Sequence, residues 1–286
     1  MTKPRRLLLV GGTGRVGQMV LHHFNAALPA DIEIIEQHRD SDRTSGLFWS
    51  LLGTAPHGLA DLRIDAIICL AGVTPGYGAD LELNKPLAQS VLQAAHEAGI
   101  GRVLLSSSSA VYGAGDGKPL SEASVPKPIN SYGKAKLAME QDCAPWRDKG
   151  LNVCCLRIGN VAGADALLLN EAKTPSEQPL GIDCFVDGRG PVRSYIGAGT
   201  LAEVLVNLAT QPRPLPEVLN IAAPGVVFME DLARAVGHSV EFRSARAGSY
   251  QCITLDCRAL AALHTFDANA SDATTMVAQW KETLPQ

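Results

Sequence analysis

Size, composition and charge set the first limits on what this chain can be. Its 286 residues, 46% of them apolar, suffice for one large or two small domains with a sizeable core. A net charge of −4 without a basic run argues against nucleic acid as the main partner. The apolar run at residues 7–10 is too short for a signal peptide, and no stretch nears the ~20 apolar residues of a membrane span, so a soluble cytoplasmic protein is expected.

The cysteines and histidines give no metal-binding pattern. The seven cysteines form no Cys-x-x-Cys pair, and Cys69, Cys154 and Cys155 fall in apolar, strand-like runs. Thiols in such runs typically pack in the interior. The seven histidines are scattered, and the adjacent His22 and His23 cannot share a helix face. We therefore expect buried thiols and no metal site.

The first predicted elements are a strand, a glycine-rich turn and a helix. Apolar residues 7–10 lead directly into the turn, and apolar positions at a spacing of three and four follow it, which predicts a helix. A G-x-G-x-x-G type of turn in this context is typical of dinucleotide binding, because glycines allow close backbone approach and the helix N-terminus offers amides to a pyrophosphate. The predicted cofactor contacts in this turn are Gly11, Gly14, Arg15, Val16 and Gly17.

The second predicted strand, residues 32–36, ends at the residues that decide between NAD and NADP. An acidic side chain at this strand end receives the ribose hydroxyls of NAD, and Glu36 is the candidate. His38 and Arg39 follow, and their basic groups suit the 2′-phosphate of NADP. Arg43 is predicted to be a solvated loop cation. Both cofactors stay open, and the basic residues tip the prediction towards NADP.

The next elements differ in clarity. A weak third strand is predicted within residues 46–52 and a clear one within residues 65–72. The clear strand ends in Ala71 and Gly72, whose small size leaves room for a dinucleotide. A long helix is predicted over residues 80–99.

The reactive residues are concentrated between positions 102 and 140. A strand over residues 102–105 leads into serines 106–109, and a helix opens at Ser131. Tyr132 and Lys136 are four residues apart, so they share a face of that helix. A lysine ammonium beside a phenol favours the phenolate, and a serine from the strand end can hold the same substrate oxygen. The arrangement predicts proton transfer by Tyr132.

These residues resemble the extended short-chain dehydrogenase/reductase family, in particular its epimerase/dehydratase branch. Ser-Ala-Val-Tyr-Gly at 109–113 and Tyr-Gly-Lys-Ala-Lys at 132–136 carry the likeness, which covers nearly the whole chain. The resemblance implies Ser108, Tyr132 and Lys136 as the catalytic residues, with Ser108 also touching the substrate. Ser107 and Ser109 are the alternative serines.

The same resemblance implies the fold and the domain organisation. The implied fold is α/β, a Rossmann-like doubly wound parallel sheet with a small, discontinuous C-terminal substrate-binding region. The dinucleotide-binding domain would comprise residues 1–162 and 195–222, and the substrate-binding region residues 163–194 and 223–286. Ala71, Gly72, Tyr132 and Lys136 would border the cofactor. Asn84 would be either a structural support or a surface residue.

Two residues beyond the catalytic helix are implied as substrate contacts. The segment at 157–163 is similar to the family's Arg-x-x-Asn-x-x-Gly junction, and its Asn160 either contacts the substrate or the nicotinamide end, or caps the turn. Arg193 matches an arginine that binds a nucleotide-sugar diphosphate, a role that suits the fork of a guanidinium. The family's acidic residue after it is here Ser194, and residues 164–192 are predicted to be mainly loop.

The resemblance implies an NAD(P)-dependent oxidoreductase of the epimerase type, acting at a sugar carbinol carbon. An NADP-dependent reductase or dehydrogenase of a smaller carbonyl compound is the alternative, favoured by the basic residues near Arg39 and the short substrate region. Dehydration is disfavoured, because Ser109 and Ala110 stand where dehydratases carry Asp and Glu. The third hypothesis, a non-catalytic dinucleotide-binding sensor, is opposed by the presence of both Tyr132 and Lys136. The apolar faces of the helices at 80–99 and 131–149 fit either a homodimer or core packing.

Overall fold

The computed structural model describes residues 3–40, 42–171, 174–175 and 178–284. The chain divides into two compact units. The first unit comprises Met1–Gly113, Pro126–Arg157 and Ala202–Leu219. The second unit comprises Ala114–Val125, Ile158–Leu201 and Asn220–Gln286.

The strands of the described residues fall into one large sheet and several short pairings. In chain order they are β1 (Arg5–Val10), β2 (Ile32–His38), β3 (Leu47–Phe48), β4 (Ala66–Cys69), β5 (Arg102–Ser108), β6 (Asn152–Ile158), β7 (Asn160–Val161), β8 (Leu180–Cys184), β9 (Val192–Arg193), β10 (Tyr195–Ile196), β11 (Val218–Ile221), β12 (Val227–Phe228), β13 (Val240–Ser244) and β14 (Cys252–Ile253).

The helices lie between these strands. They are α1 (Arg15–Ala27), α2 (Asn84–Glu97), α3 (Ser131–Gln141), α4 (Ala144–Asp148), α5 (Ala166–Glu171), α6 (Ala198–Thr210), α7 (Met229–Val236), α8 (Arg258–Ala261) and α9 (Ala273–Glu282). Among the helices in the described part of the chain, none combines the length and apolar character that a membrane crossing requires.

The large sheet is a seven-stranded parallel sheet in the order β11-β6-β5-β4-β1-β2-β3. The strand order reverses at β1, which has β2 on one side and β4 on the other, and this reversal defines a doubly wound sheet. Parallel pairing sets Leu9 opposite Glu36 and Val10 opposite Cys69. The carboxyl ends of β1, β2 and β4 therefore lie side by side, at the switch point where ligands bind in such sheets.

Apolar residues of the sheet and its helices form the core of the first unit. Residues 7–10 of β1 are fully buried, as expected for a central parallel strand. In α2 the buried residues include Ala88, Val91 and Leu92, whereas Lys85 and Gln93 are exposed. Core packing thus accounts for the apolar face of α2. This helix begins at Asn84 rather than at position 80, because a single 3₁₀ turn occupies Leu81–Leu83.

The second unit contains short strands that the sequence did not indicate. Residues 164–192, predicted to be mainly loop, include α5 and β8. The prediction missed β8 because this strand is defined by a partner far along the chain: Leu180–Cys184 pair in parallel with Val240–Ser244 of β13. The remaining pairings are β7 with β10, and β9 with β12 and β14.

The compact units differ from the predicted domain limits at four segments, residues 114–125, 158–162, 195–201 and 220–222. Residues 114–125 belong to the second unit, where Leu120 bridges Leu255 and its carbonyl accepts a hydrogen bond from Asn220 Nδ2 at 2.9 Å. Residues 195–201 also belong to the second unit, since Tyr195 pairs with Asn160. The assignment of dinucleotide and substrate binding to particular segments stays a prediction.

Candidate active site

The glycine-rich turn between β1 and α1 is fixed by contacts that exclude larger residues. Gly11 has a φ of +86°, and a Cβ there would lie 2.4 Å from the backbone nitrogen of Ala71. A Cβ on Gly17 would lie 2.2 Å from the carbonyl oxygen of Gly11, so α1 starts directly against the turn. Gly14 is the N-cap of α1, and the first turn of this helix has no acidic residue. The amides and the positive dipole end at this point suit a pyrophosphate.

The end of β2 places a carboxylate beside this turn. A Cβ on Gly12 would lie 3.4 Å from Glu36 Oε1. Both carboxylate oxygens of Glu36 accept hydrogen bonds from Arg43, each at 3.2 Å. Arg43, predicted to be a solvated loop cation, is therefore tied to Glu36. The other predicted cofactor contacts near the turn are exposed or half-buried, namely Arg15, Val16 and Arg39.

Gln37 connects the glycine turn to β3. Its Oε1 accepts a hydrogen bond from the Gly11 amide at 3.1 Å, and its Nε2 donates to the Trp49 carbonyl at 2.6 Å. Gln37 was not among the predicted site residues, although it is a polar residue directly after Glu36 near a strand end. His38 is 2% exposed, so the ring proposed for a 2′-phosphate is enclosed by protein in this structure.

The loop after β4 packs against two polar side chains. A Cβ on Gly72 would lie 2.8 Å from Asn84 Oδ1 and 2.9 Å from Lys136 Nζ. Asn84 is 2% exposed and accepts a hydrogen bond from the Val73 amide at 3.1 Å. Its Nδ2 donates to the carbonyls of Val73 and Leu81, both at 2.9 Å. Asn84 is a buried support of this loop, and the small residue at position 72 is required by the packing of the protein itself.

Helix α3 holds the predicted tyrosine and lysine close to the end of β5. Asn130 caps the helix, and its side chain accepts a hydrogen bond from the Gly133 amide at 2.8 Å. A Cβ on Gly133 would lie 2.3 Å from the carbonyl oxygen of Ala110. The glycine therefore allows α3 to approach the 3₁₀ turn Ser109–Tyr112, which follows β5 directly. This approach brings Tyr132 to Ser108.

Tyr132 and Ser108 are hydrogen-bonded, and Lys136 lies one helical turn further on. Burial raises the pKa of Tyr132, and its hydrogen bond with Ser108 opposes that shift. Lys136 Nζ donates to the Ser106 carbonyl at 2.9 Å and lies 6.0 Å from the centroid of the Tyr132 ring. Burial lowers the pKa of Lys136 to about 8. Burial of the phenol thus shifts the tyrosine pKa upwards, opposite to the lowering expected from the lysine.

The structure distinguishes the candidate serines by their partners. Ser108 Oγ accepts a hydrogen bond from the Ala110 amide at 3.2 Å and is also bonded to Tyr132. Ser107 Oγ instead donates to Glu140 Oε1 at 2.5 Å. Successive residues of a strand point to opposite faces, which separates Ser107 from Ser108. The geometry supports Ser108 as the serine that accompanies Tyr132.

A buried ion pair lies behind these residues. Arg157 Nη2 donates to Glu140 Oε2 at 2.7 Å, and Arg157 Nε reaches the two carboxylate oxygens at 3.1 and 3.2 Å. Arg157 Nη1 donates to the Tyr112 hydroxyl at 3.0 Å. The side chains of Arg157 and Glu140 are 6% and 5% exposed. Arg157 was predicted only as part of a junction, and its pairing with Glu140 was not predicted.

The two predicted substrate contacts beyond the catalytic helix, Asn160 and Arg193, both belong to the second unit. Arg193 donates to three backbone carbonyls, those of Val192, Tyr250 and Gln251, at 2.8, 2.9 and 2.6 Å. Burial lowers the pKa of Arg193. The backbone amide of Asn160 donates to the Ser194 carbonyl at 3.0 Å. The hydrogen bonds of Arg193 to Tyr250 and Gln251 anchor its guanidinium to the segment around β14.

Ser194 takes a structural role within this unit. Its Oγ accepts a hydrogen bond from the Leu255 amide at 2.8 Å, and the residue is 3% exposed. A hydroxyl in this position satisfies a buried backbone donor. Ser194, which stands where the resemblance would place an acidic residue, therefore hydrogen-bonds within its own unit and puts no charge beside Arg193.

A parallel sheet with a glycine turn at its switch point defines a Rossmann-like dinucleotide-binding protein, here with a tyrosine, a serine and a lysine at the same edge. Residues 7–222 match the model of the NAD dependent epimerase/dehydratase family. The chain belongs to that family.

Two curated relatives show the range of activities near this chain. The UDP-glucose 4-epimerase of Azospirillum brasilense is 35% identical in an alignment of 182 residues that covers 56% of this chain and 50% of the relative. The 2′-dehydrokanamycin reductase of Streptomyces kanamyceticus is 31% identical in an alignment of 247 residues that covers 82% of this chain and 66% of the relative. The chain spans about half the length of the UDP-glucose 4-epimerases that it matches along 174–185 residues.

Solved structures resemble the fold over nearly the whole chain. The UDP-Glc/GlcNAc 4-epimerase of Campylobacter jejuni gives a TM-score of 0.76 at 20% identity, covering 98% of this chain and 99% of that one. The UDP-glucose 4-epimerase of Brucella ovis in complex with NAD gives a TM-score of 0.76 at 21% identity, covering 96% of each chain. At these identities the likeness shows the fold.

Proposed function

We propose that this chain is an NAD-dependent oxidoreductase of the epimerase type, acting on the carbinol carbon of a nucleotide sugar. The observation that carries the proposal is the continuity between the glycine turn and the reactive side chains. Gly11 packs on Ala71, and Gly72, the residue after Ala71, packs on Lys136. A dinucleotide on the turn and a substrate hydroxyl at Tyr132 would therefore share one edge of the sheet.

The chain's own residues suit each part of this reaction. NAD, held by residues 11–17 with its ribose at Glu36, would supply the hydride acceptor. Ser108 holds the substrate hydroxyl oxygen, and the Tyr132 oxygen receives its proton as the hydride leaves the same carbon. The charge of Lys136 stabilises the phenolate that accepts the proton. Return of the hydride to the opposite face of the carbonyl carbon, and of the proton to its oxygen, gives the epimer. Release of the intermediate instead gives a ketone.

The nucleotide-sugar part of the proposal rests on Arg193 and on the relatives. Two of the curated relatives that support it are UDP-glucose 4-epimerases from Azospirillum brasilense and Lactobacillus helveticus. The hydrogen bonds described for Arg193 use its two Nη atoms, which leaves the Nε donor for a phosphate oxygen. Asn160, in the same unit, is proposed as a second polar contact for the substrate.

The test is conversion of UDP-glucose or UDP-N-acetylglucosamine to its 4-epimer, followed by anion-exchange chromatography. We expect the parent chain with NAD⁺ to form an epimer and Tyr132→Phe to lose nearly all turnover while still binding NAD⁺. Arg193→Met should raise KM with a smaller effect on kcat, because it removes a binding contact. Binding of NAD⁺ without conversion of either sugar nucleotide would contradict the proposal.

A reductase acting on a sugar ketone without a nucleotide is the second candidate. It is favoured because the 2′-dehydrokanamycin reductase matches 82% of this chain. The discriminating assay is oxidation of NADH or NADPH by such a ketone. For the reductase, Arg193→Met should leave turnover unchanged, because the substrate carries no diphosphate. A sensor without turnover would keep its cofactor-dependent behaviour in Tyr132→Phe.

We infer that the cofactor is NAD rather than NADP, although the basic residues of the sequence tip the prediction towards NADP. Glu36 lies against Gly12, where a ribose would approach the turn. Arg43 is exposed but paired with Glu36, and His38 is buried, so of these three predicted basic residues Arg39 is exposed and lies outside that ion pair. A carboxylate in this position accepts ribose hydroxyls and repels a 2′-phosphate.

A homodimer remains a further prediction. The buried residues of α2 already account for its apolar face, so no exposed apolar stripe on this helix supports pairing. Sedimentation velocity at micromolar concentration tests the prediction, and a purely monomeric boundary would contradict it.

A further inference from the structure

The buried pair Glu140 and Arg157 needs an explanation beyond stability. Burying two charges costs several kcal/mol per ion, and apolar residues of similar volume often stabilise a protein equally well or better. Both side chains are almost fully enclosed, and the guanidinium reaches both carboxylate oxygens. A role in positioning neighbouring groups would explain why charged residues occupy this interior position.

The pair touches both sides of the segment that contains Ser108. On one side Glu140 accepts the hydroxyl hydrogen bond of Ser107. On the other side Arg157 donates to the Tyr112 hydroxyl, at the end of the 3₁₀ turn. The end of β5 and the 3₁₀ turn after it are thereby hydrogen-bonded to α3 and to β6.

Lys136 is bound to the same segment and lies one turn before Glu140 on α3. Its Nζ donates to the Ser106 carbonyl. Successive turns of α3 therefore contact three neighbouring serines. Tyr132 contacts Ser108, Lys136 contacts the Ser106 carbonyl, and Glu140 contacts Ser107. Displacement of Glu140 would disturb the group that aligns the substrate oxygen.

We infer that Glu140, fixed by Arg157, is a positioning residue that holds Ser108 and Lys136 in register with Tyr132. It does not touch the reacting atoms and acts through Ser107 and through its charge. The inference deepens the proposed function and relies on it for the turnover measurement. The ionisation of Lys136 gives a second measurement that needs no substrate.

The charge of Glu140 matters because Lys136 has few other anionic neighbours. The groups that face Lys136 are Tyr132 on its own helix, Cys69 on β4 and Cys155 on β6, besides Glu140. Burial raises the pKa of Cys69 to about 11, and a neighbouring thiol with burial raises that of Cys155, so both are neutral at neutral pH. The phenol of Tyr132 also has a raised pKa. Glu140 is therefore the carboxylate that offsets the burial of Lys136.

The test compares the parent chain with a double variant that carries both Glu140→Met and Arg157→Met. Replacing both charges avoids an unpaired buried ion, so we expect a melting temperature near that of the parent. Turnover of the UDP-sugar should fall ~100-fold, the scale expected for a misplaced catalytic group. The titration midpoint of Lys136, followed by NMR with ¹³C-labelled lysine, should fall by about one pH unit.

Two further variants keep the test decisive. Glu140→Gln, made together with Arg157→Met so that no buried ion is left unpaired, preserves the shape of the side chain and should lower the Lys136 midpoint even where the double methionine variant fails to fold. The matched control is the partly exposed pair of the same unit, Arg6 and Glu33, 2.8 Å apart. Replacing both by Met should change neither turnover nor the Lys136 midpoint.

The two measurements separate failure of this inference from failure of the proposed function. A folded double variant with parental turnover and a parental Lys136 midpoint would overturn the positioning role. If the parent converts no UDP-sugar, the proposed function fails, and the Lys136 titration decides the inference alone. An unchanged midpoint in the variant that carries Glu140→Gln and Arg157→Met would then overturn it, and a lowered midpoint would support it.

Discussion

Both carboxylate oxygens of Glu36 are hydrogen-bonded to the guanidinium of Arg43, at 3.2 Å each. A cation engaged in this way is not available to a 2′-phosphate, and the carboxylate beside Gly12 would repel one. We therefore expect tighter binding of NAD⁺ than of NADP⁺. Glu36→Gln should release Arg43 and narrow the ratio of the two dissociation constants by ~10-fold or more.

Isothermal titration calorimetry with both dinucleotides measures this ratio directly. Glu33→Gln is the matched control, because Glu33 lies on the same strand and is paired with Arg6 at 2.8 Å. It should leave the ratio unchanged. Preferential binding of NADP⁺ by the parent chain would contradict the prediction and turn attention to Arg39.

Ser108 and Ser109 offer a test of which serine assists Tyr132. Ser108 is hydrogen-bonded to the phenol, whereas Ser109 begins the 3₁₀ turn. Ser108→Ala should lower kcat ~10- to 100-fold, the value of one or two hydrogen bonds to a charged oxygen. Ser109→Ala should keep kcat within a factor of two or so. A larger loss in Ser109→Ala than in Ser108→Ala would reverse the assignment.

The close approach of α3 to the turn after β5 depends on Gly133. A Cβ there would lie 2.3 Å from the Ala110 carbonyl oxygen, so the helix or the turn would have to move. Gly133→Ala should lower the free energy of unfolding by ~1–3 kcal/mol and reduce turnover as well. Gly101→Ala is the control, because a Cβ at that position meets nothing within 4 Å. Urea unfolding curves and initial rates compare the two variants, and equal stability would contradict the prediction.

The sequence predicted the elements whose pattern is local. The apolar run of β1, the glycine turn and the four-residue spacing of Tyr132 and Lys136 each lie within a short segment, and the family match confirms the fold they imply. Strand β8 escaped prediction because its five residues are ordered by Val240–Ser244, about sixty positions away. The sequence Leu-Gly-Ile-Asp-Cys alternates, but its Gly and Asp are disfavoured in strands, so these five residues do not indicate a strand by themselves.

Pairings between side chains were the other part that the sequence did not reveal. Glu36 lies on β2 and Arg43 lies beyond the end of that strand, so their contact depends on the loop between them. Lys136 was expected to act on Tyr132, but its ammonium is bound to the Ser106 carbonyl. The contact between Lys136 and Ser106 depends on the packing of the end of β5 against α3, which the sequence alone does not specify.

The buried ammonium of Lys136 should make stability depend on pH. Its pKa is lowered from 10.5 to about 8 by burial, so between these values the unfolded chain binds more protons at this site than the folded chain. The contribution of Lys136 to the free energy of unfolding therefore rises with pH in that range. Burial of the charged group destabilises the fold below about pH 8, and the effect fades towards pH 10.5.

Lys136→Met removes this cost and should be more stable than the parent at pH 7. The pKa shift corresponds to ~3 kcal/mol, and loss of the hydrogen bond to Ser106 subtracts ~1 kcal/mol, which leaves a gain on the order of 2 kcal/mol. Urea unfolding at intervals from pH 7 to pH 10 should show the gap between the two chains closing. Lys136 lowers the pKa of Cys69, but burial still raises that pKa to about 11, so this thiol titrates above the range of the comparison. Lys134→Met, at an exposed position of the same helix, should show no pH-dependent gap, whereas a constant gap for Lys136→Met would mean that the ammonium is not the cause.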